Sequence, residues 1–277
     1  MIFLIFLILG LIMGSFLSAS VWRLYKQTGL KSELKKNKEN SIIKGRSICP
    51  NCKHELAPLD LIPVVSWVML KGRCRYCHNK IGWQEPLVEL ASGLAFSFSY
   101  FYWPYKFNSE GKILFAFWLV ILSLFIILIL FDLRWRILPN KIVAVLTAVV
   151  AAQVLVKLIF YSGGANTLVN AFWGVVFISG LFYLLYRLSN GRWIGGGDVK
   201  LGVALGLLVG GPAEAILVVF GASLLGTVIS VPLMALNKLK RTSMIAFGPL
   251  LITATTVCYF FGSDIINWYK NLVLIGH

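Results

Sequence analysis

FIILILFDLRWRILPN, residues 125–140, is an apolar run broken by one carboxylate, Asp132, and closed by Arg134, Arg136 and Pro139-Asn140. An acid in such a place is costly, about 2.5–3.5 kcal/mol at the centre of a membrane helix and less near an interface. It is therefore a functional-site candidate from the outset. A second follows in GGGDVKLGVALG, residues 195–206, where Asp198 comes after Gly195, Gly196 and Gly197 and opens another apolar run. For either aspartate alone, the plain alternative is an interfacial acid balancing nearby Arg and Lys. Two together, each beside Gly or Pro, suggest a carboxylate pair that activates water for peptide hydrolysis within or beside a membrane.

The rest of the chain supports a membrane setting. Of its 277 residues, 58% are hydrophobic and only 13% charged, far from the balance of a soluble domain. A bilayer crossing needs about 20 predominantly apolar residues. Eight runs qualify approximately, at residues 2–22, 87–103, 113–131, 142–161, 168–187, 199–209, 213–236 and 244–261, the sixth being the shortest. The fold class expected is an all-α polytopic membrane protein of about eight transmembrane helices, with a small cytosolic four-cysteine zinc-binding domain between helices one and two.

A formal charge of +15 invites a nucleic-acid reading, but the placement of the cations argues for topology instead. Of the 26 Lys and Arg, 22 fall in residues 23–80, 134–141, 187–200 and 238–241; only Lys106, Lys112, Lys157 and Lys270 remain for the other side. The positive-inside rule then puts the long first loop in the cytosol and both termini outside. By the same parity Asp132 and Asp198 lie at the cytosolic ends of the third and sixth segments. No Lys or Arg precedes the first apolar run, and the run exceeds the usual apolar region of a signal peptide, roughly 7–15 residues, so a retained first helix is expected.

The division expected is a first transmembrane helix at 1–22, a cytosolic loop domain at 23–86, and helices two to eight at 87–277 carrying the aspartates. In the loop, Cys49, Cys52, Cys74 and Cys77 form C-x2-C-x21-C-x2-C, slightly longer than the common ribbon spacing. Two such turns complete a closed tetrahedral sulfur site for Zn²⁺, with no position left for water, so the ion is structural. Four reduced thiols are the alternative. His54 and His78 adjoin the pairs and are read as surface residues, Cys258 as core. Residues 26–40, rich in Lys, Asn and Glu, read as a solvated connector.

Peptide hydrolysis by two carboxylates needs one protonated and one ionised group sharing a water. The pair is treated as titrating together, with no order assigned. The glycines before Asp198 admit a close substrate backbone. They do not form a phosphate loop, because the G-x-x-x-x-G-K-[ST] order is missing. Gly202, Gly206 and Gly210 form a small-residue stripe for helix packing. Phe247-Gly248-Pro249 reads as a helix kink.

Together these residues resemble the bacterial prepilin peptidases, also called type IV leader peptidases. The resemblance runs through Gly14-Ser15-Phe16-Leu17 with Arg23-Leu24, GRSICPNC, LDLIPVVSW from Leu59, GRCRYC from Gly72 and EPLVEL from Glu85. It continues through Asp132 with Pro139 and Asn140, the G-x-G-D motif at Gly195, Gly197 and Asp198 with Lys200, and FGP at Phe247. It implies a membrane aspartic protease that removes the leader of type IV prepilins or pseudopilins at the cytosolic face of the bacterial cytoplasmic membrane, with Asp132 and Asp198 as the catalytic pair. It also implies methylation of the new N-terminal amine with S-adenosylmethionine, an activity associated with the cysteine-bearing loop. The partners implied are prepilins or pseudopilins and the lipid bilayer, with no nucleic acid.

The sequence departs from the family pattern at Ser18, where Asn is frequent, and at Gln84-Glu85-Pro86, where Arg-Tyr-Pro is common; the Lys-rich stretch 26–44 is a further particularity. Glu55, Asp60, Glu85 and Glu89 are candidate contacts for a basic leader. Two other functions compete: a peptidase without methylation, and an ion-coupled transporter with a zinc ribbon. A membrane-anchored nucleic-acid binder predicts salt-steep affinity for DNA or RNA.

Overall fold

A computed structural model describes residues 1–27, 47–160, 164–238 and 245–275. The connector at 26–40, the Lys-rich stretch 26–44 and the basic cluster 238–241 lie wholly or largely outside these residues. The described residues are overwhelmingly helical, with two isolated antiparallel bridges, Ile48 with Glu55 and Arg73 with Lys80, and no strand. The chain divides into two units, Met1–Trp103 and Pro104–His277.

The first unit holds α1 (Ile2–Gln27), a short α2 (Val65–Met69) and α3 (Gln84–Phe101). α1 and α3 pack along small residues. A Cβ at Gly10 would sit 2.6 Å from the Ser92 carbonyl oxygen, and one at Gly14 would sit 2.7 Å from Ser92 Oγ. Gly93 faces Leu11 in return. Nothing larger than glycine fits at Gly10, because its neighbour is backbone, which cannot swing away. Farther along, the Ser97 hydroxyl donates to the Phe3 carbonyl at 3.2 Å, and the Phe6 and Tyr100 rings stack at 4.9 Å.

The second unit contains α4 (Ser109–Trp135), α5 (Asn140–Phe160), α6 (Gly164–Val175), α7 (Leu181–Leu188), α8 (Gly196–Val209), α9 (Pro212–Ala235) and α10 (Gly248–Ile275). Asn108 caps α4 by accepting from the Gly111 N–H at 2.8 Å. Between α6 and α7 the helix continues through a π segment, Val176–Gly180. Such wide turns are rare and concentrate at functional positions. α8 packs on α6, with a Cβ at Gly206 falling 2.6 Å from the Gly174 carbonyl carbon and one at Gly174 colliding with the Gly206 carbonyl oxygen. Gly202 lies similarly against Ile178 and Ser179.

The segments expected to be helical are helical where they are described, but among the described residues six helices are long and apolar enough to cross a membrane: residues 2–25, 109–135, 140–160, 164–188, 212–235 and 248–273. The other two fall short. α8 has 14 residues, about 21 Å of helix against a hydrocarbon core of about 30 Å. α3 carries Glu85 and Glu89 in its first two turns. Two smaller readings change. Gly210 does not join the packing stripe; at φ 70° it is the left-handed residue that ends α8, and its N–H donates to the Gly206 carbonyl at 3.2 Å. Gly248 does not kink a helix; it begins one.

The Gly174–Gly206 contact is testable. Gly206→Ala forces α6 and α8 apart and lowers the thermal midpoint of the detergent-solubilised chain by the equivalent of about 1–3 kcal/mol. Gly180→Ala, whose Cβ would meet nothing nearer than 3.9 Å, serves as the tolerated control. Equal midpoints for the two variants would contradict the close approach.

Candidate active site and metal centre

Asp132 lies in the last turn of α4 and is buried. The helix ends just beyond it because Arg136 turns left-handed, at φ 55°, and returns its N–H to the Asp132 carbonyl at 2.9 Å. The side chain points elsewhere. Its Oδ2 accepts the backbone N–H of Gly248, 116 residues away, at 3.1 Å. A Cβ on Gly248 would lie 2.7 Å from that oxygen, so the close approach depends on glycine. Phe247, just before it, is held by an edge contact with Phe182 of α7 at 6.0 Å.

Asp198 stands in the first turn of α8, half-buried, with its N–H donating to the Gly195 carbonyl at 3.1 Å. Its carboxylate lies against Gly195, where a Cβ would sit 3.5 Å from Oδ2. Ser179, in the π segment, donates to the carbonyl of Val199 at 2.9 Å and ties the start of α8 to the neighbouring helix. Lys200 Nζ donates to Asn140 Oδ1 at 2.9 Å. Pro139 accepts the N–H groups of Ile142 and Val143 and so starts α5.

Asp132, Pro139, Asn140, Gly195, Gly197, Asp198 and Lys200, scattered over residues 132–200, thus meet around the end of α4 and the start of α8. Sequence reasoning missed two members of this group. One is the Gly248 amide; the Gly-Pro pair was visible, but its partner was not. The other is Leu138, whose side chain lies against both Gly197 and Gly248.

In the first unit the four cysteines converge, all sulfurs lying within 4.8 Å of one another, with Cys49 and Cys77 at 3.8 Å. Tetrahedral Zn–S bonds of about 2.3 Å place sulfurs about 3.8 Å apart, and disulfide sulfurs sit at about 2.05 Å. The donor set therefore fits one zinc ion, and the cysteines are free. The two halves repeat each other. The Cys49 N–H donates to the His54 carbonyl and the Lys53 N–H to the Cys49 carbonyl, both at 2.9 Å. Likewise Cys74 N–H donates to Asn79 at 2.9 Å and His78 N–H to Cys74 at 3.0 Å. Lys53 and His78 both take positive φ, 58° and 53°. Within the cluster the thiols diverge: the backbone of Asn79 and the side chain of Asn51 draw Cys77 down to about 6, while Cys52, beside Cys49 and Cys77, is pushed up to about 11. Neither His54 nor His78 joins the sulfur cluster. His54 packs on Tyr76, ring centres 3.7 Å apart.

Three of the acids proposed for a basic leader are engaged within this unit. Asp60, its side chain 3% exposed, pairs with Arg75 at 2.7 Å; Glu89 accepts the Val64 N–H at 2.7 Å; Glu85 accepts the Ser18 hydroxyl. The last contact joins two positions at which the sequence leaves the family pattern.

Residues 8–103 match the family described as Bacterial Peptidase A24 N-terminal domain, and residues 119–231 the Type IV leader peptidase family. A Prepilin leader peptidase/N-methyltransferase of Bacillus subtilis is 28% identical over 98% of both chains. One of Aeromonas salmonicida is 30% identical over 83% of this chain and 76% of its own. The Type 4 prepilin-like proteins leader peptide-processing enzyme of Escherichia coli is 33% identical over 87% of each. No solved structure matches the chain.

The repeated turns predict a contrast. Glycine adopts the left-handed conformation without the Cβ penalty, so Lys53→Gly and His78→Gly hold or raise the thermal midpoint, by up to about 1 kcal/mol, and leave metal content at the wild-type level. Loss of metal in His78→Gly, measured by elemental analysis, would make that imidazole a ligand.

Proposed function

Because the chain belongs to the type IV leader peptidase family, we propose that it removes the leader of type IV prepilins or pseudopilins by hydrolysis at Asp132 and Asp198. The observation that carries the reading is the fixed Asp132 carboxylate, held by the Gly248 amide, with Leu138 lying against both Gly248 and Gly197, the residue before Asp198. In the reaction, one carboxylate takes a proton from water as the oxygen attacks the scissile carbonyl carbon. The other, protonated, hydrogen-bonds the carbonyl oxygen. Collapse of the tetrahedral species breaks the C–N bond, and the departing amine takes up a proton. The pair shares these roles as one titrating unit.

The remaining contacts explain how two acids from separate helices stay in register. Lys200 with Asn140 ties α8 to α5, and Ser179 holds the backbone just after Asp198. Residues 23–86 form the cytosolic zinc-binding domain of this proposal, with the four cysteines as ligands of a structural ion. Residues 87–277 carry the peptidase site. We place both termini outside and the loop and the aspartates on the cytosolic side, an arrangement that the cation distribution supports and that counts α3 and α8 as crossings as well. The relatives named as N-methyltransferases support a second activity, which we place on the new N-terminus. S-adenosylmethionine would supply the methyl group for that transfer.

Mass spectrometry of a co-expressed prepilin tests both halves. Asp132→Asn and Asp198→Asn each lower leader removal by about 100- to 10,000-fold; normal processing in either would end the dyad reading. Gly248→Ala displaces the Asp132 carboxylate and costs about 100-fold with the chain still folded. The wild-type product carries one added methyl group; an unmethylated product would leave a peptidase alone. Protein purified without chelator contains one zinc per chain, and Cys74→Ser lacks it; zinc-free wild type would remove the metal from the proposal.

A further inference from the structure

Three glycines border the two carboxylates. Gly195 lies against Asp198, Gly197 immediately precedes it, and Gly248 lies against Asp132. None projects a side chain into the space beside the acids, and at Gly248 none fits. Leu138 lies against two of these glycines. Leu138 Cβ and Cδ1 lie 3.0 and 3.2 Å from where a Cβ would sit on Gly197, and its Cδ2 lies 3.6 Å from the corresponding point on Gly248. A single half-buried aliphatic group therefore spans the glycine beside one aspartate and the glycine beside the other.

Its backbone is held from both directions. Two residues before it, Arg136 turns the chain out of α4 in a left-handed conformation with its N–H returned to Asp132. Directly after it, Pro139 fixes φ near −65° and begins α5. Asn140, one residue farther, is tied to Lys200 of α8. A side chain on so short a segment, anchored at both ends to the elements that carry the aspartates, moves with the site rather than with a loop.

We propose that Leu138 determines specificity: it is the wall that limits side-chain bulk next to the scissile bond. The inference rests on the dyad reading. An extended substrate whose carbonyl reaches the aspartates lays its backbone along the glycines, as their missing side chains permit. The side chain flanking the scissile bond then meets Leu138. The wall is aliphatic and uncharged, so it selects by volume and not by charge. Discrimination of this kind amounts to about 10–200-fold per methylene-sized difference.

The test uses the full chain in proteoliposomes and full-length prepilins. In one series the residue before the scissile bond is Gly, Ala, Val or Leu; in another the residue after it is varied in the same way. Clients compete in one tube, so relative kcat/KM is independent of the fraction of enzyme folded. The wild type loses at least tenfold from the smallest to the largest residue in one series. Leu138→Ala flattens that slope by at least tenfold, Leu138→Phe steepens it, and the near-isosteric Leu138→Met stays close to wild type. If both Leu138→Ala and Leu138→Phe scale all clients by a common factor in both series, Leu138 is packing only and the proposal fails. Asp132→Asn and Asp198→Asn in the same assay report separately on the dyad, since their effect is on every client alike.

Discussion

Helices surrounded by lipid gain nothing hydrophobic by touching, so they are held by contacts made at very short range. The whole chain leans on this constraint. In the first unit, Gly10 and Gly14 let α1 lie against the backbone of α3; in the second, Gly174 and Gly206 bring two backbones together without side chains between them. The second contact matters most for chemistry. α8 is too short to be positioned by a full bilayer crossing, and it carries Asp198 at its first turn. Its depth and rotation come from α6, through paired glycines, and from the Ser179 hydroxyl on its first-turn carbonyl.

Much of this was legible in the sequence because the signals were of single residues in unlikely places. A carboxylate in an apolar run and four cysteines at ligand spacing both announce themselves without any knowledge of what lies opposite. The helical segments were equally readable from apolar length. What escaped was apposition. Gly248 and Asp132 are far apart in the chain, and nothing near either residue indicates the hydrogen bond between them. Leu138 looked like any leucine before a proline. The stripe at Gly202 and Gly206 was recognised by its period, yet the same period misassigned Gly210, because a helix C-terminus and a packing face both select glycine. The equivalent stripe on α1 was passed over, Gly14 being read only as part of a motif and Gly10 not at all.

The departures from the family pattern also look different in three dimensions. Ser18 and Glu85 were two isolated oddities along the chain, and they touch. A short hydroxyl on α1 meets a carboxylate at the start of α3, beside the helix contact made by Gly14. Asp60 and Glu89 are likewise committed, one to Arg75 and one to the Val64 amide. Val64 itself takes φ 61°, a strained conformation for a β-branched residue, and the Glu89 carboxylate receives its N–H there. These acids act as fasteners for the small domain, and a basic leader that drew on them would have to dislodge them.

The π segment at Val176–Gly180 sets the phase of the span that contains it. An ordinary helix presents one stripe along its length, but this one has two to satisfy: Gly174 against α8 below the segment, and Phe182 against Phe247 above it. The wider turn re-indexes the upper half relative to the lower. Each residue in a regular helix advances by about 100°, so shortening this stretch by one residue would swing Phe182 away from Phe247 and release the amide that follows it. The span thus behaves as a coupling of fixed pitch, in which chain length, and not side-chain identity, is the adjusted quantity.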